Sequence, residues 1–248
     1  MSLNRQIIAF VFFLCLLSGS YQAQRKNNSS GRHAGNGWRY NLGTGLNFYT
    51  TNDKHGVDPK QLLNVTFGIR RELRVTRDFK TYLLFGAEYV FHGVNYRSYY
   101  FKPDSVKIYD RKYSYNYALS VNEIHIPLEI KYLLRREDNS LFSPYLLFGY
   151  HLRYLGPSSL KVTKGDVLYQ TDRPDMRFRT FLFSEKINAS LCASLGWQVN
   201  HLGEGKKCLF VEANFQYGFS DYYFRSDYSA SSMYLNCIQV TFNIGAKF

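Results

Sequence analysis

The chain has no apolar run long enough to cross a membrane as a helix. Such a helix needs about 18 or more apolar residues in succession, and the stretch IIAFVFFLCLL at residues 7–17 is too short. With a mean hydropathy of −0.32, this excludes a helical membrane protein. Cysteine is scarce and has no CxxC spacing: beyond Cys15 there are only Cys192, Cys208 and Cys237. An odd set of this kind points to free buried thiols. The strand placement below sets Cys208 near one rim and Cys237 near the other, which disfavours a bridge between them, while a pairing of Cys192 with Cys237 across the interior stays open. No nucleophile elbow, phosphate-binding loop or zinc signature occurs, so no catalytic, cofactor or metal residue is assigned. Acidic residues are outnumbered, 19 to 31, for a net charge of +12. The basic residues form neither a helix nor a compact stripe, which argues against nucleic acid as a partner. Scattered basic charge suits a surface that faces anionic lipid or lipid phosphates.

What is present is aromatic and alternating. Tyrosine and phenylalanine number 22 and 20, a load expected of a barrel with aromatic girdles. Eight segments carry apolar residues at every second position: 38–50, 62–72, 81–92, 121–134, 144–154, 186–200, 208–219 and 235–248. Period two with one wholly apolar face marks a strand whose apolar side meets an oily phase. The last segment is the clearest, with Ile238, Val240, Phe242, Ile244, Ala246 and Phe248 on one face and Gln239, Thr241, Asn243, Gly245 and Lys247 on the other. Most segments run to about 11 residues, the length of a tilted transmembrane strand, against about five or six in soluble sheets.

The connections alternate. Those after the second, fourth and sixth segments are short, whereas those after the third, fifth and seventh are long and that after the first is moderate. Short turns on one side and long loops on the other are the pattern of an up-and-down outer-membrane barrel, with both chain ends in the periplasm. The long, tyrosine-rich link between the third and fourth segments is expected to continue those strands as a hairpin above the membrane. Pro127 removes a ladder donor from the fourth segment and is expected at a bulge or an unpaired position. Upstream, residues 1–23 have a secretory leader pattern, and residues 24–37 read as a flexible periplasmic tail. The barrel domain is expected at 38–248.

Three stretches are similar to the PorT-type outer-membrane β-barrel family of Bacteroidetes: Glu123-Ile124-His125-Ile126-Pro127-Leu128 with Lys131-Tyr132, Pro144-Tyr145-Leu146-Leu147-Phe148-Gly149, and Asn243-Ile244-Gly245-Ala246-Lys247-Phe248. The resemblance implies an eight-stranded barrel inserted by the outer-membrane assembly machinery. The family's founding member is implicated in protease export by type IX secretion. The N-terminal segment of that member has no counterpart here, so its role does not carry over directly. On the terminal strand, Phe242, Ile244, Gly245 and Phe248 resemble the assembly signal of outer-membrane barrels.

The inward faces collect Arg39, Arg70, Glu88, Glu123, His125, Glu129, Lys131, His151, Arg153, Glu212 and Lys247. An eight-stranded barrel is filled by its own side chains, so these are expected to pair as a structural polar network. As an active site, Glu123, His125 and Glu129 would serve as acid, base and orienter, with His92 and Ser120 near the outer rim. His125 and His151 would hold a metal only with a third ligand.

The sequence thus predicts an all-β protein, an eight-stranded antiparallel up-and-down transmembrane β-barrel of the cell outer membrane. Its expected role is structural or interactive, linked to protein export or envelope maintenance, and not enzymatic. Expected partners are outer-membrane lipids, lipopolysaccharide phosphates facing mildly positive loops, the assembly machinery and secretion-system proteins. Two other classes stand beside this one: a barrel enzyme acting on lipid or lipopolysaccharide, and a soluble lipocalin-like binder with its apolar face turned inward.

Overall fold

A computed structural model describes residues 36–51, 56–76, 80–99, 114–135, 141–164, 167–172, 174–179, 183–200, 208–225 and 233–248. The leader pattern and all but the last two residues of the expected tail lie outside them. Thirteen strands follow in chain order: β1 (Gly37–Thr51), β2 (Gly56–Gln61), β3 (Leu63–Arg74), β4 (Thr81–Tyr99), β5 (Ser114–Leu133), β6 (Phe142–Leu155), β7 (Ser159–Lys164), β8 (Val167–Asp172), β9 (Asp175–Arg179), β10 (Ile187–Val199), β11 (Cys208–Gly218), β12 (Asp221–Arg225) and β13 (Met233–Lys247).

The eight long strands, β1, β3, β4, β5, β6, β10, β11 and β13, each pair antiparallel with the next, and β13 returns to β1. The seam runs unbroken from Arg39 opposite Lys247 to Thr51 opposite Leu235. Trp38 and Phe248 exchange both backbone hydrogen bonds at its end, each at 2.9 Å. Among the described residues no wall strand is left as a sheet edge, because each of the eight has a neighbour on both sides.

Side chains sort across the wall by the pleat. Phe67, Phe148, Phe242 and Ile244 point outward and are 57–65% exposed, while the charged residues that alternate with them are at most 3% exposed. A continuous apolar outer band of this kind is not a surface that a water-soluble monomer presents. A lipocalin-like barrel requires the reverse order, with apolar residues inside.

Five strands lie where the sequence reads as connection. β4 and β5 continue past the expected limits of 92 and 121 as an antiparallel hairpin, from His92 opposite Val121 to Tyr99 opposite Ser114, as the tyrosine-rich link predicts. β2 adds to the outer edge of β4, while β7 and β8 continue from β5. On the opposite side β12 pairs with both β13 and β9. The end remote from Trp38 and Phe248 is therefore built as sheet. Pro127 sits where expected: the β4–β5 ladder skips from Phe85–Leu128 to Glu88–His125, while Pro127 keeps its place opposite His151 on β6. Its missing N–H coincides with this gap.

Candidate functional site

The lumen is organised in tiers, beginning at the end that carries Trp38 and Phe248. There, Glu72 on β3 accepts hydrogen bonds from Lys131 at 3.0 Å and Lys247 at 2.6 Å, with Arg39 at 3.7 Å. Aromatic rings form the floor beneath them. The Arg39 guanidinium lies 3.8 Å from the centre of the Phe210 ring, and both lysine ammonium groups lie over Tyr82. The rings fit because glycines face them: a β-carbon on Gly196 would lie 2.2 Å from Tyr145 Cζ, and one on Gly245 would lie 2.4 Å from Phe210 Cζ. Gly245 thus packs as part of the lumen floor, while Phe242, Ile244 and Phe248 face outward and Phe248 meets Tyr40 edge-on at 6.0 Å.

Arg70 is the hub of the middle tier. Its Nε and Nη2 donate to Glu88 Oε1 at 3.0 and 2.6 Å, and its Nη1 donates to Glu129 Oε2 at 2.6 Å. Glu212 is 3.7 Å from it and is bonded by Arg39 and the Tyr145 hydroxyl at 3.2 and 3.1 Å. His151 Nε2 and the Cys192 thiol meet Glu129 Oε1 at 2.9 and 3.3 Å. Cys192, Cys208 and Cys237 are all buried, and none is in a disulfide.

In the upper tier Glu123 is clasped from several sides. Arg153 donates to both its oxygens at 3.0 Å, His125 Nε2 lies 2.6 Å from Oε2, and the Tyr222 hydroxyl donates to Oε1 at 2.6 Å. Tyr222 comes from β12, outside the barrel wall, and also contacts Arg153. Burial, before any neighbour, keeps its phenol well above its usual pKa, so it donates as a neutral hydroxyl. His92 Nε2 lies 3.5 Å from Glu123, and its Nδ1 lies 2.6 Å from the Tyr49 hydroxyl. Above this tier Phe178 of β9 and Tyr222 of β12 meet Val94, Leu119 and Val162 in one buried apolar cluster.

Among the described residues the buried charges are Arg39, Arg70, Lys131, Arg153 and Lys247 against Glu72, Glu88, Glu123, Glu129 and Glu212. Five cations face five carboxylates, so the interior is neutral when its histidines are neutral. Every member of the sequence-expected network falls inside this arrangement. Glu72, Tyr145 and Tyr222 were not foreseen. Glu72 continues the period-two run beyond Arg70, and that continuation was the signal for it.

Of the enzymatic candidates, His125 meets Glu123 at 2.6 Å, while Glu129 pairs with His151 instead. His92 points into the lumen, whereas Ser120 alternates with the buried Val121 and lies on the outer side of β5. Glu123 and Glu129 are each held by an arginine and are 0% exposed. His125 and His151 do come together, with ring centres 5.8 Å apart.

An eight-stranded antiparallel barrel with an apolar exterior and an ion-paired interior is the architecture of small outer-membrane barrels. The fold is similar to that of the outer membrane protein OprG from Pseudomonas aeruginosa, with a TM-score of 0.52, 11% identity, and coverage of 88% of this chain and 98% of that one. Neisserial surface protein A gives a TM-score of 0.40 at 12% identity, covering 85% and 95% of the two chains. Ail, the attachment invasion locus protein of Yersinia pestis, gives 0.35 at 13% identity, covering 86% and 97%. At 11% identity the likeness to OprG is one of fold. No family model matches the chain, and no curated protein matches it in sequence.

Proposed function

We propose that the chain is an integral outer-membrane protein whose role is structural or interactive, with its work done on the outside of a closed barrel. One observation carries this: the side chains that face out are apolar, while the charges that face in are at most 3% exposed. A pore needs a wetted lumen, and eight strands leave room only for side chains. An enzyme needs an approachable acid or base, and here Glu123, His125 and Glu129 lie beneath the apolar cluster formed with β9 and β12.

In this proposal the short turns and both termini face the periplasm, and the sheet built from β2, β7, β8, β9 and β12 faces outward from the cell. Lys60, Lys161 and Arg179 are exposed on that sheet and suit contact with lipopolysaccharide phosphates. The assembly machinery would read the outward Phe242, Ile244 and Phe248 with Gly245. The PorT-type resemblance adds a place beside protein export or envelope maintenance. A deletion strain, tested for protease secretion and for sensitivity to detergents, separates an export role from an envelope role.

Two measurements test the membrane barrel itself. Folded protein in detergent is expected to migrate differently on a gel before and after boiling, because the closed ladder resists unfolding in the cold; an unchanged position contradicts it. In planar bilayers the inserted protein is expected to give no steady conductance. Stable open-channel steps from the intact chain would refute the closed lumen.

A further inference from the structure

The interior holds a constellation that the ion-pair network does not use up. Glu88, His125 and His151 sit on three neighbouring strands, β4, β5 and β6, with Glu88 directly opposite His125 in the ladder. One ligand-capable atom from each lies within 4.8 Å of the other two, and all three side chains are buried. We propose that Glu88, His125 and His151 bind a divalent transition-metal ion of the zinc class in the barrel lumen.

The hydrogen bonds around the two rings prepare them as ligands. His125 Nε2 is engaged by Glu123 Oε2 at 2.6 Å, and His151 Nε2 by Glu129 Oε1 at 2.9 Å. A carboxylate on one ring nitrogen holds the proton there and leaves the other nitrogen with its lone pair, which is the usual support of a metal-binding histidine. Two such pairs meet here. His125 Nδ1 is fully buried and has no hydrogen-bond partner. Buried acceptors are ordinarily bonded, and a metal ion would satisfy this one.

His151 Nδ1 faces Glu88 Oε2 at 3.8 Å and lies 3.1 Å from the Gln216 amide nitrogen. That amide marks Nδ1 as the acceptor nitrogen, and a small turn of Gln216 would release it. On Glu88, Oε1 already takes the bonds from Arg70 and Asn41, which leaves Oε2 as the ligand oxygen.

A second grouping, Glu129, His151 and Cys192, shares one histidine. It is less suited, because Glu129 Oε2 is held by Arg70 while Oε1 takes both His151 and the Cys192 thiol. Immediately around the two rings Glu88, Glu123 and Glu129 face Arg70 and Arg153, a local excess of one carboxylate that the lower tier balances. Zinc–ligand bonds of about 2.0–2.2 Å require the three atoms to close by about 1 Å, within the reach of rotamer adjustment.

A metal held here would tie three adjacent strands together. It would enter as the barrel forms, because the finished lumen is covered, and it would then exchange slowly. The test uses the full untagged chain refolded from urea into detergent, with zinc or with a chelator present. Loose metal is then stripped, and retained zinc is measured by mass spectrometry. The expected result is about one zinc per folded chain, resistant to chelator until the barrel is unfolded.

In His125→Gln and His151→Gln, retention is expected to fall at least tenfold while the gel shift on boiling persists. Should those variants fail to fold, the wild-type urea midpoint decides: it should be higher after refolding in zinc than after refolding in chelator. The proposal is overturned if folded wild type retains no zinc. It is equally overturned if His125→Gln retains as much as wild type, or if zinc leaves the wild-type midpoint unmoved.

Discussion

Arg70→Met is expected to destabilise the barrel by about 3–5 kcal/mol, the scale on which a buried ion pair fails when one partner is removed. Arg70 bonds Glu88 and Glu129 directly and lies 3.7 Å from Glu212. Its loss leaves carboxylates without their cation in a compartment where none is more than 3% exposed. Methionine fills much of the volume, so the loss reports charge more than packing. Urea unfolding in lipid vesicles measures it as a lower midpoint at constant slope. Adding Glu88→Gln to Arg70→Met is expected to restore part of the loss, because one unpaired charge is then removed as well. Ile69→Leu on the outer face should cost under about 1.5 kcal/mol, being a swap of like volume. Equal losses at residues 69 and 70 would mean that the lumen charges are solvated and the tiers loosely held.

Removal of Phe248 is expected to have the second-largest effect, at the seam. Phe248 exchanges both backbone bonds with Trp38 and places its ring against Tyr40. Two net hydrogen bonds at about 1 kcal/mol each and an aromatic pair at about 0.5–1.5 kcal/mol give about 2.5–3.5 kcal/mol. That energy acts where β1 and β13 must find each other, the pairing with the longest sequence separation in the barrel. Assembly should therefore suffer beyond the stability loss. The share of heat-shifted protein, followed over time during refolding, should grow more slowly than in a variant shortened between residues 101 and 112. Equal rates for the two would place the bottleneck elsewhere.

The barrel was readable because period two has a single physical cause. Each outward residue meets the apolar phase and each inward one meets a crowded polar interior, so the pattern survives across all eight strands. Loop lengths then ordered those strands. The short outer strands were harder to read, because they are five or six residues long and rich in charge. β9 (DMRFR) and β12 (DYYFR) look like solvated loop, yet each carries alternate residues, Met176, Phe178 and Tyr222, that are at most 2% exposed. Their burial depends on the arm they form together, which no local pattern announces. The tiers of the lumen were legible as a set of charges and not as pairs. Which carboxylate meets which cation depends on register and shear, as with Lys247 crossing to Glu72. Glu88 as a neighbour of both His125 and His151 was hidden for the same reason.

The central claim, that the outer face of this barrel meets lipid, is tested most directly by its two tryptophans. Trp38 and Trp197 both point outward, 44% and 47% exposed. In vesicles containing brominated lipids both should be strongly quenched, and aqueous iodide should quench them little. Fluorescence untouched by brominated lipid and quenched by iodide would contradict the account.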